Sequence, residues 1–288
     1  MPMRPLLPIS GRRPVLHSAC AAVALLAGSA AWGQTSGGVL SAPNPTAQAS
    51  AAGSKYPPVD DRHPLAPALK LARSSRKSMD AVRDYQCTFI KRELLNGAVL
   101  TQTMEMKLRE EPFSVYLKYQ DPNPGREILF VSGQNDNKLL AHEGSGLKAI
   151  VGTVPLALDA PQVRSENRHP ITEIGMRNLI DKVIKQWEFE GQFGETTVQY
   201  FPDAKIGGVS CPAIECTHPQ PRRQFPFQIT RMYIDSQSNL PVRIENYGFP
   251  SAAGQEPPLV EEYTYVKLQT NVGLSNNDFS TKNPNYKF

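Results

Sequence analysis

Apolar and polar residues along this chain follow two periods in turn. From Pro64, the stretch PLAPALKLARSSRKSMDAV sets Leu65, Leu69, Ala72, Met79 and Val82 at helical spacing with basic residues between them, and predicts an amphipathic helix. From Asp84 the period changes from about 3.6 to about 2, which predicts strands. DYQCTFIKRE alternates Tyr85, Cys87 and Phe89 against Gln86, Thr88 and Arg92, and Asn96-Gly97 then supplies the positive φ angles of a tight hairpin turn. LTQTMEMKLRE sets Leu100, Met104, Met106 and Leu108 on one face, FSVYLKY does the same with Phe113, Val115, Leu117 and Tyr119, and DPNPG turns the chain again.

The next stretch, GREILFVSGQNDNKLLAHEGSG, holds a histidine and several glycines and invites a catalytic reading. Its pattern is strand, polar turn, strand. No helix start follows its glycines and no Lys-Ser or Lys-Thr pair accompanies them, so it is not a phosphate loop. His142 and Glu143, as neighbours on a strand, point to opposite faces and cannot act together on one substrate. Beyond it, GLKAIVGTVPLALDAPQVRSEN is apolar but broken by Gly152, Pro155 and Pro161, and predicts a short helix and a loop. ITEIGMRNLIDKVIKQW then places Ile171, Ile174, Leu179, Val183 and Trp187 on one helical face, with Pro170 suited to the first helical position. The rest reads as strands again: WEFEGQF, TTVQYF, CPAIECTHP, FQITRMYID, LPVRIENYGF and LVEEYTYVKLQTN. The fold class is α+β, with roughly ten antiparallel strands that must curl or close, since an open twisted sheet of that size rarely stays flat.

Composition changes the picture at the N-terminus. Arg4, Arg12 and Arg13 are the only charges before an Ala-rich apolar run, and Ala31-Trp32-Gly33 offers small residues for cleavage, so residues 1–33 read as a signal peptide. The run is too short for a membrane span, and the mature chain is expected to carry none. Cys20 lacks a lipobox. Arg12-Arg13 gives a weak twin-arginine signal. Residues 34–63, rich in Pro, Ala and Ser, read as a flexible linker, and residues 64–288 as the folded domain. Removing residues 1–33 removes three of the positive charges, so the formal net charge falls from +4 to +1. No basic cluster remains to bind nucleic acid.

An exported chain meets oxidising conditions with Cys87, Cys211 and Cys216. Cys211 and Cys216 on one extended strand lie roughly 16 Å apart, beyond disulfide reach. Cys216 shares a strand face with Ile214, as a buried small hydrophobe would. Cys87 and Cys211 are therefore the disulfide candidate, with three reduced thiols the alternative. No second Cys or His is read at ligand spacing from these cysteines, so no metal and no cofactor are expected. His63, His169 and His218 each precede a proline, and neither a nucleophile elbow nor a carboxylate pair accompanies them, so the chain does not read as an enzyme.

The order of elements, with Asp235, Leu240, Pro241 and Arg243 on one late strand and Asn271, Gly273, Leu274 and Phe279 near the end, resembles the periplasmic lipoprotein-carrier (LolA/LolB-like) superfamily. More closely, DYQCTFIKRE, PFSVYLKY, GREILFVSGQNDNKLLAHEG and HPITEIGMRNLI resemble the secreted bacterial domain of unknown function 1571, over about residues 64–288. The resemblance implies an unclosed half β-barrel, with lid helices on its concave side over an apolar hollow. It implies a periplasmic carrier of a lipid, a lipoprotein acyl chain or another apolar ligand. A sixteen-carbon chain would gain roughly 12 kcal/mol gross at about 0.8 kcal/mol per buried CH₂. Candidates for lining the hollow are Phe89, Met104, Met106, Val115, Leu117, Ile174, Met176 and Leu179. The alternative is a sensor or scaffold module of the same fold that binds an envelope protein partner.

Overall fold

The computed structural model describes residues 54–288. The expected signal peptide and most of the expected linker lie outside them. Residues 54–63, the end of that linker, lie against the domain: the Tyr56 ring meets Phe189 at 5.1 Å, and Gln192 Nε2 donates to the Pro57 carbonyl at 3.0 Å.

Helix α1 (Leu65–Ser78) buries Leu65, Ala68, Leu69 and Ala72. Met79 and Val82, in and beyond the short 3₁₀ turn that follows, complete the same apolar stripe. Six strands then meander antiparallel: β1 (Asp84–Leu95), β2 (Ala98–Arg109), β3 (Ser114–Asp121), β4 (Glu127–Val131), β5 (Leu139–His142) and β6 (Val154–Leu156). A single turn of helix, α2 (Leu147–Ile150), separates β5 from β6. After α3 (Pro161–Arg164) and α4 (Met176–Glu190) come β7 (Thr197–Phe201), a small ribbon of β8 (Lys205–Ile206) and β9 (Val209–Ser210), and β10 (Ala213–Thr217), β11 (Ile229–Ile234), β12 (Pro241–Tyr247) and β13 (Leu259–Thr270).

The main sheet has 11 strands in the order β6-β5-β4-β3-β2-β1-β13-β12-β11-β10-β7, and it does not close into a barrel. This is an α+β half-barrel. Its topology explains the lid: β6 and β7 are the two open edges, and the only chain between them is the segment carrying α3 and α4. That connection packs on the concave side, where α4 meets α1 and β12. Arg73 to Glu188 (2.8 Å) and Arg76 to Asp181 (2.6 Å) fasten α4 along α1.

Two helix expectations need correction. Ile171–Glu173 is a 3₁₀ turn, and α4 begins only at Met176 because Gly175, at φ 108°, breaks the path. A Cβ there would stand 2.8 Å from Leu108 Cδ1, so glycine lets the segment press against β2. WEFEGQF, read as a strand, instead continues α4 through Glu190. Met176, Leu179, Ile180, Val183, Trp187 and Glu190 share one buried helical face, and packing of that face decides the element.

Cys87, Cys211 and Cys216 are free and buried, so the expected bridge is corrected. Cys87 joins the main core with Tyr85 and Phe89. Cys211 sits in a separate cluster with Ala213 and Tyr233, on the sheet face opposite Ile214 and Met232. The C-terminal residues return over the outer face: Tyr286 stacks on Tyr116 at 3.9 Å, and the Lys287 backbone donates to Glu127 Oε2 at 2.9 Å.

Candidate functional site

Apolar residues alternate along each strand, so one row from every strand faces the concavity, and where the helices stand off from the sheet a cavity of about 550 Å³ remains. Its wall runs from Leu156 on β6 through Ala141, Ile128, Leu117, Met104 and Phe89 to Tyr263 and Tyr265 on β13 and Ile244 on β12. The lid contributes Val163, Ile171, Ile174, Leu179 and Val183.

Of the eight residues expected to line a hollow, Phe89, Met104, Leu117, Ile174 and Leu179 do so. Met106, Val115 and Met176 do not. They are packed into the solid core around Tyr85, Leu108 and Ile180, where α1 and the first turn of α4 sit tight on the sheet. The alternation pattern is the same on both parts of the strand and does not distinguish them.

The same strands carry a polar strip into the cavity that the sequence reading missed. Lys91 and Glu93 follow Phe89 on the inward face of β1, and both are buried. Lys91 Nζ donates to the Glu166 carbonyl at 3.0 Å and to Asn167 Oδ1, and lies 3.4 Å from Glu93 Oε2. Glu93 accepts from Tyr263 Oη at 2.6 Å and from the Arg168 backbone at 3.0 Å. Glu261 accepts from His169 Nε2 at 2.9 Å, Asn246 Nδ2 at 2.8 Å and Arg168 Nε at 3.3 Å. Arg126 bridges Glu143 (2.9 Å) and Glu166 (2.7 Å) across the opposite wall.

The environment shifts these groups in defined directions. Burial pulls the Lys91 ammonium pKa down, against the pull of Glu93 and Glu166. Burial alone would raise Glu261, but hydrogen bonds from His169 and Asn246 and the charge of Arg168 hold it below the ordinary carboxylate value. Tyr263 is raised by burial and by the Glu261 and Glu93 carboxylates. Burial pushes Tyr119, under the Arg126 guanidinium, up to about 12. One acceptor in the strip is unmatched: Asn246 Oδ1 is buried without a partner among the described residues, while its amide nitrogen is committed to Glu261. The strip thus sets buried polar and charged groups beside an apolar hollow.

His142 and Glu143 part as strand neighbours should. Glu143 lines the cavity with Arg126, whereas the His142 ring lies 6.5 Å from Phe288. Elsewhere, the reading that no second Cys or His stands at ligand spacing from the cysteines is corrected. Cys216 and His218, two apart at the end of β10, share one face and meet Glu190 from the end of α4, all three buried. A Cys-x-His on a strand was the available signal, but Glu190 is remote in sequence.

The family model described as a protein of unknown function (DUF1571) matches residues 82–288. No curated protein matches the chain. Among solved structures, a DUF1329 family protein from Desulfovibrio piger is similar at 13% identity over 76% of this chain and 98% of that one, with a TM-score of 0.36. The Mycobacterium tuberculosis lipoprotein LppX is similar at 13% identity over 73% of this chain and 99% of its own, with a TM-score of 0.42. A chain of the Pseudomonas aeruginosa MucA/MucB complex is similar at 11% identity over 74% of this chain and 60% of that chain, with a TM-score of 0.39.

Proposed function

We propose, for a chain that belongs to the DUF1571 family and whose family description names no chemistry, that the half-barrel cavity binds an apolar ligand carrying a polar end. The observation that carries this reading is the cavity itself: about 550 Å³ with mostly apolar walls, inside the roughly 300–1,000 Å³ range of small-molecule sites. The apolar rows on β1 to β6 would take a hydrocarbon portion. Its polar end would lie against the polar strip of Lys91, Glu93, Glu261 and His169 on the cavity wall.

Binding is favoured over catalysis because Lys91, Glu93, Glu261 and His169 are committed to one another and to lid atoms. In this reading the protein is exported through residues 1–33 and works in the periplasm as a carrier. No helix among the described residues is long and apolar enough to cross a membrane.

Native mass spectrometry of protein purified from the envelope, followed by solvent extraction, tests the proposal. Discrete added masses that extract as lipid are expected. A bare mass that stays unchanged after challenge with fatty acids and phospholipids overturns it.

A second reading, in which the module docks a protein partner, draws on Ile150 and Val151. They are 81% and 73% exposed between β5 and the edge strand β6. Co-purification of one defined envelope protein, lost on Ile150→Asp, would favour it.

A further inference from the structure

We propose that Glu190, Cys216 and His218 form a binding site for a thiophilic divalent metal ion, with zinc the best chemical match. The three potential ligand atoms converge: His218 Nε2 lies 3.3 Å from Glu190 Oε2, and Cys216 Sγ lies 3.9 Å from each of them. A tetrahedral ion with nitrogen and oxygen at about 2.0–2.1 Å and sulfur at about 2.3 Å requires separations of roughly 3.3 Å for N to O and roughly 3.5–3.6 Å for the pairs with sulfur. The triangle matches the first and exceeds the second by a few tenths of an ångström, which side-chain rotation absorbs. A thiolate, an imidazole and a carboxylate together suit zinc better than magnesium or calcium.

The surroundings are those of a built site. His218 Nδ1 lies 3.1 Å from the Glu195 carbonyl, which can only accept, so Nδ1 is the donor there and Nε2 is the ring nitrogen turned to Glu190 and Cys216. The imidazole is held flat against Phe225, with ring centroids 3.7 Å apart and planes 7° from parallel. Gln186 Nε2 donates to Glu190 Oε1 at 2.9 Å and so orients the carboxylate, leaving Oε2 to the triangle. The residues are 0%, 1% and 2% exposed for Glu190, Cys216 and His218.

Charge supplies the second argument. Among the described residues no Lys or Arg forms an ion pair with Glu190, although it is fully buried. Its one basic neighbour there is the His218 ring, itself a ligand of the triangle, and a divalent ion held between carboxylate, imidazole and thiol would satisfy all three groups at once. The site would pin the C-terminal end of α4 to β10. Gln186 also lines the large cavity, so the lid over the ligand space and the metal site share one side chain.

The test uses the exported protein purified without chelators, its metal content measured, then stripped and titrated with Co²⁺ while circular dichroism confirms that it stays folded. About one equivalent of zinc as purified is expected, with a thiolate-to-cobalt charge-transfer band on titration that is absent from Cys216→Ser. Gln186→Ala, which removes the hydrogen bond that orients Glu190 while leaving all three ligand side chains in place, should weaken Zn²⁺ binding about 10–100-fold. Substoichiometric metal together with no thiolate band in the folded wild-type protein overturns the proposal. So does a band that survives Cys216→Ser. Should that variant fail to fold, the wild-type titration and Gln186→Ala decide alone.

Discussion

Met104 and Met106 give the sharpest test of where the hollow ends. Both lie on the inward face of β2 and both are 1% exposed, yet Met104 borders the cavity and Met106 is enclosed by core. Truncating Met106 to alanine leaves a new void in close-packed surroundings, for which about 2–5 kcal/mol is typical. A mid-range loss of about 3 kcal/mol lowers Tm by about 6–12 °C for a domain of this size. Met104→Ala removes the same atoms, worth about 2.4 kcal/mol at about 0.8 kcal/mol per methylene-sized group. It merely enlarges a space already present, so most of the additional void penalty is missing and the cost should stay near that transfer value, about 2.4 kcal/mol.

The order reverses in a binding assay. Titrated with a fluorescent fatty acid, Met104→Ala should lose up to roughly 30-fold in affinity, the equivalent of about 2 kcal/mol of contact. Met106→Ala should bind as the wild type does. Urea unfolding and the titration on the same samples decide the matter. If Met104→Ala destabilises as much as Met106→Ala and both leave binding untouched, the space above β2 closes in solution and the boundary drawn through this strand is wrong.

Three further outcomes follow from the structure. Glu261 is held below its ordinary value of 4.5, so it contributes stability that is complete above that value and disappears as pH falls through the folded-state value. Glu261→Gln should therefore flatten the acid limb of a urea-midpoint profile, and an unchanged slope would contradict the assigned network. Gly175→Ala, strained at φ 108° and driven against Leu108, should destabilise by about 1–3 kcal/mol in the same unfolding assay, and a neutral effect would refute the close approach. A thiol count on unfolded, unreduced protein cleaved before Gln34 should return all three of Cys87, Cys211 and Cys216, and a count of one would restore the bridge.

Local patterns determined much of this protein. The alternation in DYQCTFIKRE and LTQTMEMKLRE and the Asn96-Gly97 turn fixed a hairpin whose register the structure keeps from Asp84–Arg109 to Leu95–Ala98. The number of strands forced a curled sheet. These features were legible because strand period and turn chemistry act within a few residues. Tertiary structure alone decided the rest. WEFEGQF became helix because Trp187 and Glu190 continue a buried face that only docking onto the sheet reveals. Identical alternation hid the difference between Met104, which borders the cavity, and Met106, which does not. Lys91 and Glu93 could enter the interior because Glu166, Asn167, Arg168 and Tyr263 arrive there from distant segments to satisfy them. Glu190, Cys216 and His218 likewise meet only where the end of α4 lies over β10. Periodicity reports which face of an element is apolar. The composition of a site depends on which elements converge over that face, and that is fixed by chain topology and packing.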